Sequence, residues 1–164
     1  MLVLGIDPGT AITGYGLVEE RDGNFSLVDC GVVSTPAGMP LEKRLLLLYE
    51  GLLEIIEVHR PDEMAVEEVF FGRNVTTAIA VSHGRGIALL AAAQNDMPVF
   101  SYKPAEIKQS VVGYGNADKF QVQSMIKMLL DLEEIPKPDD AADAVAVAVC
   151  HIQHSRYSSL VGKR

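Results

Sequence analysis

With 164 residues, 17.7 kDa, 48% hydrophobic residues and a mean hydropathy of +0.17, the chain can fill one ordinary core and is too short for two. Its two cysteines, Cys30 and Cys150, exclude a disulfide-built scaffold and read as buried thiols; no apolar run approaches the ~20 residues of a membrane span, so a cytoplasmic protein without membrane association is expected. A net charge of −8 argues against a polyanion partner, but the charge is uneven: acids outnumber bases across residues 21–63, whereas residues 69–130 carry six bases (Arg73, Arg85, Lys103, Lys108, Lys119, Lys127) against three acids.

Residues 2–6 form a short branched apolar run stopped by Pro8-Gly9, which predicts a buried strand ending at Asp7. Asp7 either opens an Asx turn or faces the open rim of the sheet as a functional acid. Residues 13–19 and 25–34 predict two further strands joined through Asp22-Gly23, a hairpin signal, so the chain begins as an antiparallel meander. Gly14 and Gly16 leave one face of the second strand bare, which suits close backbone approach, a bulge or packing against a helix.

From Met39-Pro40, Leu41, Leu45, Leu48, Leu52, Ile55 and Ile56 mark the apolar stripe of a helix that ends at Arg60-Pro61. Residues 64–69 follow as a strand whose end carries Glu67 and Glu68. A loop with Phe70, Phe71, Gly72 and Arg73 comes next. Asn74 is placed to cap a helix over residues 75–94, whose Ala, Gly and Ser content suits a core helix, an oligomer contact or both. Residues 97–102 read as a strand that Pro98 confines to an edge or a strand start. A helix over residues 104–111 is broken by Gly113, and Asn116 is placed to cap another from residue 117 to about 132. A last helix opens at Asp139-Asp140, and residues from His154 on read as a loose polar tail. His151 and His154 read as surface or packing residues. The expected architecture is one domain over residues 1–155, an α/β fold with a mixed sheet and flanking helices, and a flexible tail over residues 156–164.

Asp140 and Asp143 lie three residues apart in the first turns of that last helix and so project to one side. Helix-dipole stabilisation explains an acid there, and Asp139 alone suffices for it. A second acid on the same face of an otherwise Ala- and Val-rich segment needs a cation to offset the repulsion. Oxygen ligands without a His or Cys cluster suit Mg²⁺ or Mn²⁺ rather than zinc. Asp7, Glu67, Asp140 and Asp143 form the candidate cage, with Glu68 and Asp139 pointing elsewhere.

The run Gly5-Ile6-Asp7-Pro8-Gly9, the segment Ala65-Val66-Glu67-Glu68-Val69-Phe70, Val111-Val112-Gly113 with Ala117-Asp118-Lys119, and Asp140-Ala141-Ala142-Asp143-Ala144 together resemble the RuvC family of bacterial Holliday-junction resolvases. The resemblance extends to about Ile152. It implies a ribonuclease-H-like sheet of five strands, a homodimer, symmetric metal-dependent nicking of four-way junction DNA in recombination and repair, and collaboration with the RuvA and RuvB branch-migration proteins. The family's four acids fall on Asp7, Glu67, Asp140 and Asp143, which implies two Mg²⁺ ions per site with Mn²⁺ as a substitute. Its junction-contacting aromatic falls on Phe70 and two DNA-binding lysines on Lys108 and Lys119, with Arg73 taken as a further DNA contact. The implied products carry 5′-phosphate and 3′-hydroxyl ends. Two competing readings are a catalytically inactive ribonuclease-H-like binding module, against which all four acids stand, and an actin- or sugar-kinase-like phosphate-binding protein, suggested by Asp7-Pro8-Gly9-Thr10. The second needs another glycine-rich phosphate loop that this chain lacks.

Overall fold

The first three strands, β1 (Leu2–Asp7), β2 (Ile12–Arg21) and β3 (Asn24–Ser34), form the expected antiparallel meander. Asp22 and Gly23, at φ 53° and 88°, make the tight turn between β2 and β3 in which both central residues are left-handed. The structure is a computed structural model that describes residues 1–68 and 75–161. After α1 (Leu41–His59), β4 (Glu63–Glu67) pairs parallel with β1; after α2 (Val75–Gln94), β5 (Val99–Tyr102) pairs parallel with β4. The order is β3-β2-β1-β4-β5, which leaves β5 at an edge with Pro98 just before its start, in keeping with both placements that proline allows. Three helices complete the chain: α3 (Pro104–Val112), α4 (Lys119–Leu129) and α5 (Asp139–Val161).

Strand alternation divides the core in two. Leu4, Ile6, Leu17, Met64 and Val66 face α1 and α2, where they meet Leu52, Ile56, Ala88 and Ala91. Val3, Val18 and Ala65 face α5, with Ile107 of α3 and Val122 and Ile126 of α4 packed behind. Residues 144–150 of α5 are all buried, which explains why that stretch is apolar all round. The helix lies directly on the sheet because β1 and β2 present glycines beneath it. A Cβ at Gly5 would collide with the Ala144 carbonyl, and one at Gly16 would stand 2.6 Å from Val145 Cγ2.

Several boundaries differ from expectation. The cap of α4 is Asp118, not Asn116: its carboxylate accepts from the Gln121 N–H at 2.9 Å while Gln121 Oε1 accepts from the Asp118 N–H at 2.9 Å, a reciprocal box that Asn116 cannot form with Lys119 three residues on. The helix stops at Leu129, short of the expected 132. The α5 helix continues to Val161, through the segment read as a loose tail. Cys150 is buried, but Cys30 is only half-buried. The Asn74 cap lies outside the described residues.

Candidate active site

Asp7 closes β1 and Glu67 closes β4. Ile6 stands opposite Val66 in the parallel ladder, so the next residue of each strand brings the two carboxyls side by side on the α5 face. They share a hydrogen bond. On its other flank Asp7 pairs with Gly14 of β2, where any Cβ would collide with the Asp140 carbonyl. Glycine at that position lets the first turn of α5 descend onto the strand ends. Asp143 then enters the same cleft as Asp7 and Glu67, a space of about 280 Å³ whose lining also includes Lys108 of α3 and Lys119 of α4. Asp140 stands at its margin, close enough for its charge to act on Asp7 and Asp143.

The electrostatics are those of carboxylates crowded away from water. Burial, then the charges of Glu67, Asp143 and Asp140, push the Asp7 carboxyl up to about 8 against a pull from Lys119. Glu67 is raised by burial and by Asp143, opposed by its bond to Asp7 and by Lys108. Asp143 is raised by burial and by Asp139 and Asp140, opposed by Lys119. Burial pulls the Lys119 ammonium down, but its bonds to Asp143 at 3.0 Å and Asp139 at 3.2 Å outweigh this and hold it above the usual lysine value. Those bonds, with one from Gln123, depress the exposed Asp139.

A divalent cation is the group that such a donor set fits: its oxygens are hard, its charges repel, and neither His nor Cys lines the cleft among the described residues. No three acid, His or Cys side chains converge on one point there as a closed ligand set. One reason is on view, since Lys119 occupies an Asp143 oxygen.

The sequence-derived residues thus fall into three groups. Asp7, Glu67 and Asp143 come together with Asp140 beside them; Lys108 and Lys119 share their cleft instead of forming a separate basic surface. Phe70 and Arg73 lie outside the described residues. Glu68 was left out of the cage, and its N–H donates to the Tyr102 carbonyl at 2.8 Å, prolonging the β4–β5 ladder.

Sequence reading missed the role of His151. It is a buried bridge whose Nδ1 lies 2.7 Å from Tyr102 Oη and whose Nε2 lies 2.5 Å from Glu63 Oε2, tying α5 to β5 and β4. Its position seven residues beyond Ala144, hence on the same helical face, was the available signal.

The family model described as crossover junction endodeoxyribonuclease RuvC matches residues 3–151. The chain belongs to the RuvC family. RuvC of Chloroflexus aurantiacus is 58% identical over 151 residues, covering 92% of each chain, and RuvC of Desulforamulus reducens is 54% identical over 164 residues, covering 100% of this chain and 99% of the other. Thermus thermophilus RuvC in complex with a Holliday junction substrate superposes with a TM-score of 0.91 at 36% identity, covering 96% of each chain. The RuvC likeness makes the five-stranded sheet ribonuclease-H-like, as the motifs implied. It also makes the protein a member of an endonuclease family. Among the described residues no helix is long and apolar enough to cross a membrane.

Proposed function

We propose that this protein is a cytoplasmic, divalent-cation-dependent endonuclease that resolves four-way DNA junctions by paired symmetric nicks in recombination and repair. The observation that carries this reading is the gathering of Asp7, Glu67 and Asp143 with Lys108 and Lys119 in one cleft of a RuvC-family chain. Asp7, Glu67, Asp140 and Asp143 would hold Mg²⁺, for which Mn²⁺ could substitute. Two such ions per site, when bound, supply an activated water and neutralise charge on the phosphate.

The chain's own groups do the rest. Asp7, flanked by Glu67 and Asp143, would be the central member of that ligand set. Lys108 and Lys119 face the same space and are placed to orient the scissile phosphate and stabilise its developing charge. Displacement of the 3′-oxygen by water leaves 5′-phosphate and 3′-hydroxyl ends. Two cuts across a symmetric junction call for two copies of the site, so a two-fold homodimer acting with RuvA and RuvB completes the proposal.

The test compares a four-way junction with linear duplex of the same sequence in Mg²⁺. Nicking of the junction alone is expected; equal nicking of both contradicts junction selectivity.

Three variants sharpen the reading. Lys108→Ala is expected to weaken binding of every junction and to flatten the log–log salt dependence of the binding constant by roughly one unit. Lys119→Ala is expected to do the same and also to slow turnover, because its ammonium contacts Asp143. An unchanged salt slope in both places the lysines off the DNA. Phe70→Ala is expected to retain fold and junction binding yet cleave poorly, because the ring unstacks bases at the crossover. A junction already unpaired there should restore much of the rate, since stacking on one aromatic is worth about 1–3 kcal/mol per base. A variant that melts several degrees lower and gains nothing from the unpaired substrate marks Phe70 as a packing residue.

A further inference from the structure

Helix α4 buries Val122, Gln123 and Ile126 and turns Phe120 away from them, 70% exposed. Exposure of a phenylalanine to that degree forfeits most of what burying its ring would contribute to folding. Nothing in the folding of α4 requires a ring at this position, because the Asp118–Gln121 box already sets the first turn. The neighbour that precedes Phe120 is Lys119, whose ammonium reaches into the acid cleft. Phe120 is not among the residues that line that cleft, but it is the next residue along α4 from a cation that does.

Its surroundings separate two occupants. A protein partner or second copy needs a contiguous apolar face. The exposed sequence neighbours of Phe120 are Asp118, Lys119 and Gln121, and the next fully outward apolar side chain of α4, Met128, lies eight residues or ~12 Å along the helix. An exposed ring flanked along its helix by polar residues and a lysine suits a nucleotide, whose base stacks while its phosphate meets the cation. We infer that Phe120 is a DNA-contacting residue that stacks on a nucleobase next to the phosphate held in the cleft. The inference rests on the function proposed above and adds to it a second aromatic contact, on the side of the cleft formed by α4.

The experiment uses the full chain, a four-way junction with 2-aminopurine at positions flanking the crossover, and a chelator to hold off cleavage. Phe120→Ala is expected to bind the junction about five- to hundred-fold more weakly with the same salt slope as wild type, since no charge is removed. Phe120→Trp should restore affinity, Phe120→Leu should not, and the quenching of one 2-aminopurine seen with wild type should vanish with Phe120→Ala. Wild-type affinity and quenching in Phe120→Ala overturn the inference. So does full rescue by Leu, which marks apolar docking, or a change of sedimentation in Phe120→Ala, which marks a contact between copies. Wild-type protein that ignores junctions overturns the proposed function as well, whereas wild-type protein that binds them no better than Phe120→Ala overturns this inference alone.

Discussion

Asp7→Asn is expected to lower junction cleavage by at least about 10³-fold while leaving junction binding within a few-fold, because several kcal/mol of transition-state stabilisation depend on the charge at this position. The same substitution should make the fold more stable. In the unfolded chain the Asp7 carboxyl ionises near 3.8; in the fold, burial and its carboxylate neighbours push it up to about 8. Between those values the native state holds a proton that the unfolded state has released, so stability present below pH 4 is lost as the pH rises toward 8. Asparagine has no charge to bury. In chelator at pH 8 the variant should therefore melt above wild type, and the difference should shrink toward pH 4. Mg²⁺ should raise the melting temperature of wild type more than that of the variant. Equal cleavage, or a variant that melts lower at pH 8, contradicts the placement of Asp7 at the centre of the acid cluster.

Gly14→Ala is expected to damage the site without touching a single carboxylate. The added methyl collides with the Asp140 carbonyl, so either α5 lifts from β2 or the end of β1 is displaced. Overpacking of this kind costs about 1–3 kcal/mol, equivalent to roughly 2–12 °C in melting temperature for a chain of this length. The loss of activity should exceed the loss of stability. A shift of about 1 Å between Asp143 and the pair Asp7 and Glu67 suffices for a fall on the order of 10²-fold in cleavage. Gly86→Ala is the control: apart from the adjacent backbone of its own helix no atom lies within 4 Å of the added Cβ, the residue is in the interior of α2, and the variant should be about 0.5–1 kcal/mol more stable. If Gly14→Ala is as stable and active as Gly86→Ala, the glycine is not what seats α5.

The two largest effects sit at residues that differ in how openly the sequence displays them. Asp7 is legible because a branched apolar run ends on it and Pro8-Gly9 stops the strand; Asp140 and Asp143 are legible from their three-residue spacing in an Ala- and Val-rich helix. Gly14 is half legible. Its alternation with Gly16 signals a bare face, but that Asp140 is what lies over it depends on how α5 crosses β2, a contact between residues more than a hundred positions apart. The same separation hides the placing of Lys108 and Lys119 inside the acid cleft, which local charge counting represents as a basic stretch. One misreading and one open choice were local. A Gln three residues beyond Asp118 identifies the α4 cap, and the register of His151 with Ala144 decides between a surface and a packing residue; both follow from helical periodicity applied one turn further than the apolar stripe.

The central claim is that one acid cleft per chain cuts junction DNA with the help of a divalent cation. End-labelling each strand of a four-way junction in turn and mapping the cuts made by the wild-type chain tests it most directly. Two nicks at symmetry-related positions are expected in Mg²⁺, none in chelator, recovery in Mn²⁺, and products that DNA ligase reseals, as 5′-phosphate and 3′-hydroxyl ends require. Cuts that persist in chelator, fall at unrelated positions on the two strands, or leave ends that ligase cannot join would contradict it.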